Sequence, residues 1–245
     1  AALIAPAALH AAPASEGADA LGLDTVVITA TRYQEVARKV PSIINVLDSD
    51  AVFLEHQSRT LPEALKEIPG VSVQKTGHGQ GSPFIRGFTG YKNVLLMDGI
   101  RLNNSVFRSG PNQYWATVDM YAFDRIEVQK GPGSILYGSD AVGGVVNVIS
   151  SLESLRGKGW TGRVEHRWAD AENSNTSRVD LGWGGDAFRI RGGVTYKDYG
   201  DLEAADIGVQ PKTGYEQRDA NIRLEYDLGD STTVALAGQY TKVDD

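Results

Sequence analysis

Apolar and polar residues follow two different rhythms along this chain. Between about Glu35 and Ser151 the pattern is mixed. Leu61, Ala64, Leu65 and Ile68 recur at i, i+3, i+4 and i+7 behind Thr60 and Glu63, which have the spacing of a capping box. Pro69-Gly70 is a stop signal for that helix. Val71-Ser72-Val73 reads as a strand and Gly77-His78-Gly79-Gln80-Gly81 as a flexible loop. Val94–Met97 and Ile100–Leu102 flank Asp98-Gly99, a dipeptide suited to a two-residue hairpin turn. Ile126 and Val128 alternate with Arg125, Glu127 and Gln129, and Val145 to Ile149 is a β-branched strand. Short strands, Gly-rich turns and one firm helix predict a small α+β domain.

From Trp160 onward the rhythm is strictly period two. Val179, Leu181 and Trp183 oppose Arg178, Asp180 and Gly182; Phe188, Ile190, Val194 and Tyr196 oppose Arg189, Arg191, Thr195 and Lys197. Ile222, Leu224, Tyr226 and Leu228 oppose Asn221, Arg223, Glu225 and Asp227, and Val234, Leu236 and Tyr240 continue the theme. Strands are expected near 160–168, 177–184, 187–197, 218–228 and 231–241. Either a soluble sandwich or a transmembrane barrel produces such strands. The intervals between them run medium, short, long, short, which favours a barrel with short turns on one side and longer loops on the other. Trp160, Trp168, Tyr196, Tyr199 and Tyr215 near strand ends suit interfacial girdles.

The start of the chain has a third texture. Ala1 to Leu9 is uncharged and apolar, and Ala12-Pro13-Ala14 has the small-x-small form of a cleavage site, so residues 1–14 read as a signal-peptide remnant. Within residues 15–36, Asp24-Thr25-Val26-Val27-Ile28-Thr29-Ala30 is a short β-branched run that composition alone makes an edge strand.

Composition removes several functions. None of the 245 residues is cysteine, which excludes disulfides, thiolate metal sites and a cysteine nucleophile. With 24 Lys+Arg against 31 Asp+Glu the net charge is −7, the wrong sign for a nucleic-acid partner. Hydrophobic content of 41% looks soluble, yet barrel strands place only alternate residues in lipid. Gly131-Pro132-Gly133 and Gly138 lack the third glycine of a dinucleotide loop and the Gly-Lys-Ser/Thr of a P-loop. His10, His56, His78 and His166 are scattered, and neither H-E-x-x-H nor G-x-S-x-G occurs. No catalytic residue, metal ligand set or cofactor is assigned.

Several stretches together resemble the plug domain of TonB-dependent outer-membrane receptors. They are Leu61-Pro62-Glu63-Ala64-Leu65 running to Ile68-Pro69-Gly70-Val71, then Ile85-Arg86-Gly87, then Val94 to Asn103. The strongest follows: Arg125-Ile126-Glu127-Val128, Gly131-Pro132, Leu136-Tyr137-Gly138 and Gly143 to Ile149. The resemblance covers about residues 24–151 in the family's order. It implies an α+β plug domain at 37–152, followed from 153 to 245 by the first strands of an antiparallel transmembrane β-barrel, incomplete in this chain. Such plugged barrels have about 22 strands, so the chain reads as an N-terminal fragment.

What the resemblance implies about function is equally specific. Asp24, Thr25, Val26, Val27, Ile28, Thr29 and Ala30 match the position of the TonB box, which adds as a strand to the energy-transducing TonB complex. Arg86, Arg125 and Glu127 are placed at the plug–barrel interface. His78 and Gln80 on one loop, and Arg108, Gln113, Tyr114 and Trp115 on another, are the candidate ligand contacts. The implied setting is the bacterial outer membrane and its lipid. The implied cargo is a scarce chelated nutrient of the ferric siderophore, haem or cobalamin class, taken up without covalent chemistry. The competing expectation is a soluble periplasmic or secreted β-rich protein that binds or processes carbohydrate.

Overall fold

The computed structural model describes residues 3–4, 26–27, 29, 35–49, 51–103, 110–229 and 232–244. Two units meet in sequence between Ser150 and Ser151: residues 13–150 form one, and residues 151–245, together with 1–12, form the other.

The strands of the first unit are β1 (Ile43–Asp48), β2 (Val71–Gly77), β3 (Gln80–Ile85), β4 (Asn93–Met97), β5 (Ile100–Arg101), β6 (Arg125–Lys130) and β7 (Gly144–Ile149). Five of them make one mixed sheet in the order β1-β6-β7-β4-β5, in which only β7 and β4 run parallel. Alternation sends the two sides of each strand to different cores. Leu95, Ile126, Val128, Val146 and Val148 pack with helix α1 (Leu61–Leu65) and with Trp115, Val118, Met120 and Phe123. Val94, Leu96 and Val145 pack on the opposite face with Ala141 and with Tyr137 from the one-turn helix α2 (Ser134–Tyr137). Covering both faces explains the nearly unbroken apolar run of β7.

Three local expectations change. Helix α1 ends at Leu65, a turn earlier than its apolar spacing suggests, and Ile68 caps a following turn by donating to the Leu65 carbonyl at 3.1 Å. The capping box does not form: Thr60 makes no side-chain cap. Glu63 reaches one residue further back and accepts from the Arg59 amide at 2.9 Å, because the Arg59 guanidinium draws its carboxylate there. The segment read as a flexible loop is the hairpin β2–β3, closed at Gly77 and Gln80, whose edge position tolerates Pro83 opposite Val73.

The Asp98-Gly99 turn forms as expected, with φ of 50° and 79°, joining β4 to β5. Gly144 serves another purpose: a Cβ there would lie 2.7 Å from the Gln129 carbonyl, so glycine is what lets β7 close on β6.

The second unit is an antiparallel meander of β8 (Gly159–Ala169), β9 (Ser174–Gly184), β10 (Phe188–Tyr199), β11 (Tyr215–Gly229) and β12 (Thr232–Asp244). Leu3–Ile4 pairs with Arg167 and Trp168 on the other edge of β8. The sheet is open among the described residues. Each strand is a little longer than read from sequence, and the connection from β10 to β11 carries a small hairpin, Leu202–Ala204 with Gly208–Gln210.

Burial in this unit is inverted. Trp160, Val164, Leu181, Val194 and Leu236 are exposed, whereas Arg178, Arg189 and Lys197 are at most 2% exposed. The buried charges are paired, as burial of an ion demands. Arg178 donates to Asp180 Oδ2 at 2.7 Å, Thr195 Oγ1 at 2.7 Å and Asn221 Oδ1 at 2.8 Å. Lys197 lies 3.1 Å from Asp219, and Arg189 donates to both oxygens of Asp227 at 2.8 and 2.9 Å. Of the aromatics expected in girdles, Trp160, Trp168 and Tyr196 lie on the exposed face. Tyr199 and Tyr215 do not: period two puts them on the charged face, where their rings stack with centroids 4.7 Å apart.

Candidate functional site

Two places in the first unit gather the residues with functional candidacy. One lies around the N-terminal β-branched segment. Val26–Val27 forms a two-residue antiparallel ladder with Glu35–Val36. Val27 and Thr29 are fully buried. The Thr29 amide and hydroxyl each donate to Glu127 Oε2 at 2.8 Å, and its carbonyl accepts from Tyr137 Oη at 2.7 Å. Glu127 stands on β6 opposite Asn147 and Val46, and its other oxygen accepts from Arg125 Nε at 3.0 Å. A buried carboxylate is stable here because every hydrogen-bond partner named is a donor. Asp24, Thr25, Ile28 and Ala30 lie outside the described residues.

The sequence placed Glu127 and the 24–30 segment in separate roles; the fold brings them together. Arg86 sits apart, exposed at the turn that joins Ile85 to Phe88, with φ of 53°.

The second place is the β2–β3 hairpin. Arg59 binds the Glu63 carboxylate with two nitrogens, at 3.0 and 3.1 Å, and Lys75 Nζ joins at 2.7 Å. Burial pushes the Glu63 carboxyl up, but the hydrogen bonds from Arg59 and Lys75 outweigh it and hold it down at about 2. Arg59 Nη1 also lies 3.0 Å from His78 Nε2. A guanidinium has only donors, so His78 Nε2 accepts and the ring is the neutral Nδ1–H tautomer. That occupies the lone pair a metal would need. Among the described residues no group of three His, Asp or Glu is arranged to hold a metal.

The other candidate contacts separate. Gln80 is exposed, Gln113 donates to Thr76 Oγ1 at 3.3 Å, and Tyr114 is half exposed. Trp115, by contrast, is a core residue against Leu61 and Met120. Arg108 lies outside the described residues. Sequence reasoning missed Arg59 and the role of Tyr137. The i, i+4 pairing of Arg59 with Glu63 was a usable signal; nothing local pointed to Tyr137.

Residues 36–145 match the family model described as the TonB-dependent Receptor Plug Domain. The chain belongs to the TonB-dependent receptors. This receptor chain is 32% identical over 209 residues to the vitamin B12 transporter BtuB of Vibrio vulnificus CMCP6, a match covering 83% of the chain and 30% of that protein. It is 36% identical over 156 residues to the iron-regulated outer membrane virulence protein of Vibrio cholerae, covering 61% of the chain and 23% of that protein. The solved pyoverdine outer membrane receptor FpvA of Pseudomonas aeruginosa PAO1 is similar with a TM-score of 0.68 at 22% identity, over 91% of the chain and 31% of FpvA. The siderophore receptor PirA of Acinetobacter baumannii has a TM-score of 0.62 at 23% identity, over 82% of the chain and 32% of PirA. Likeness at that identity speaks to the fold, an α+β plug followed by antiparallel barrel strands. The TonB-dependent receptor chain spans under a third of the length of these curated relatives. It is an outer-membrane protein, and its relatives are receptors and transporters, not enzymes. The soluble carbohydrate-binding reading is thereby set aside.

Proposed function

We propose that this receptor takes up a scarce chelated nutrient of the ferric siderophore, haem or cobalamin class, and that Asp24–Ala30 couples it to TonB. Cargo binds from outside, the plug passes the signal, and TonB adds a strand to the released segment. The observation that carries the coupling role is the segment itself. Among the described residues it is held by a two-residue ladder and by the hydrogen bonds at Thr29, bonds whose release frees the backbone for pairing with another protein. The relatives support the cargo class without choosing within it, since one is named for vitamin B12 and another for iron regulation.

Val27→Pro in the full-length receptor removes an amide that strand addition needs. Uptake is expected to stop while cargo binding at the cell surface persists. Normal uptake by that variant overturns the assignment. Competition between labelled cobalamin and ferric siderophores for surface binding decides the cargo.

A further inference from the structure

We infer that the connection leading into the second unit, residues 151–158, is a fixed anchor, latched to the wall of β9–β11, so that a pull on the coupling segment stops there and is met by rearrangement inside the plug. The inference rests on reading Asp24–Ala30 as the coupling segment. The connection belongs to the second unit. Its centre is a single 3-10 turn, Glu153–Leu155, in which the Leu155 and Arg156 amides donate to the Leu152 and Glu153 carbonyls at 2.9 and 3.1 Å. Leu155 is buried over two glycines of β9. A Cβ at Gly182 would lie 3.0 Å from Leu155 Cδ1, and one at Gly184 would overlap the Leu155 carbonyl. Residues two apart share a face of a strand, so the two missing side chains together leave the space that this turn fills.

Polar contacts fix the turn a second time. Arg156 donates to both Glu153 oxygens at 2.6 and 3.0 Å, and its Nη1 lies 2.8 Å from the Asp186 carbonyl oxygen and 2.8 Å from Asp227 Oδ2. Asp227 is held in turn by Arg189, which is buried on β10. The Gly157 amide donates to the Gly185 carbonyl at 3.2 Å, just before β8 begins at Gly159. An exposed ion pair alone contributes little, but a bidentate pair within a network that includes a buried arginine keeps its geometry. The latch sits where β9 turns into β10 over residues 185–187, and short turns of this kind mark the periplasmic end of a barrel. A pull by TonB comes from that side. Fully extended, residues 151–158 would supply roughly 26–29 Å of slack. Latched, they supply none, and the pull is spent on the plug itself.

The test pulls on the full-length receptor in a bilayer through a handle at Thr25→Cys, with the receptor otherwise cleared of cysteine, and so needs no TonB. Force–extension traces of the parent are expected to end in a separate last step of roughly 26–29 Å, the release of residues 151–158 after the plug has extended. Arg156→Gln is expected to speed that step roughly three- to tenfold at a given force. Gly184→Ala, which expels Leu155, is expected to merge the step with unfolding of the plug. Surface binding of cargo is expected to stay at the parent level in both variants while uptake falls, most in Gly184→Ala. Should Gly184→Ala fail to insert, Arg156→Gln alone carries the test. A parent trace without the last step overturns the anchor. So does an unchanged step in the folded variants, or normal uptake by a variant that has lost the step. Val27→Pro separates the two ideas. If it stops uptake while the parent shows no last step, the anchor falls and the coupling segment stands. If it takes up cargo normally while the last step is present in the parent and altered in Arg156→Gln, the coupling assignment falls and the anchor stands.

Discussion

Glu63 shows how a single residue departs from its local motif. The capping-box spacing offers it the Thr60 amide, yet a carboxylate gains more from a guanidinium and an ammonium than from one neutral donor. Its folded pKa of about 2 lies below the ordinary 4.5. The stabilisation is therefore complete above pH 4.5 and is lost as the pH falls toward about 2. Allowing for its partial exposure, the contribution is about 2 kcal/mol. Glu63→Gln is expected to flatten the acid limb of the stability–pH curve over that window. Denaturant titrations of both proteins at pH 5, 3.5 and 2.5, read by tryptophan fluorescence, check it; parallel curves refute it. The same cluster settles His78, because Arg59 accepts nothing and so turns the imidazole into an acceptor.

At the scale of elements, the glycines divide into those that turn and those that pack. Asp98-Gly99 was legible because a two-residue hairpin turn is a local event with a local composition. Gly144 was not, because its constraint is the Gln129 carbonyl on a neighbouring strand. Gly144→Ala is expected to destabilise the plug by roughly 1–3 kcal/mol, as overpacking does. A lowered denaturant midpoint with unchanged slope is the signature, and an unchanged midpoint counts against the packing role. The β2–β3 hairpin was misread for a related reason: its glycines and Pro83 are loop-like in composition, and only pairing with a partner strand made them extended. Helix α1 was recognised from its apolar spacing but overextended, since that spacing continues through a turn that still faces the core at Ile68.

For the whole molecule, the inverted burial of the second unit is the decisive property. An average over composition hides it, whereas strand-by-strand alternation predicts it. Val179, at the middle of β9, is on the exposed apolar face. Val179→Arg is expected to cost roughly 2–4 kcal/mol of membrane-embedded stability if that face meets lipid near the midplane. Val179→Leu is expected to be tolerated. Unfolding of the full-length receptor from bilayers measures both; equal tolerance of the two substitutions contradicts the lipid-facing assignment.

The sequence by itself determined the α+β unit, the strands from Gly159 to Asp244 and which face of each is apolar. Those follow from periods of two and 3.6 residues, and a period is carried by neighbours in the chain. It also carried the family, because the plug's turns and strands recur as short contiguous stretches. Only the tertiary structure decided that Trp115 is core, that Tyr199 and Tyr215 stack on the charged face, and that Thr29 is gripped by Glu127 and Tyr137. Each of these depends on which strand or side chain lies opposite. The grip on Thr29 joins positions about a hundred residues apart, a distance at which local pattern carries no information.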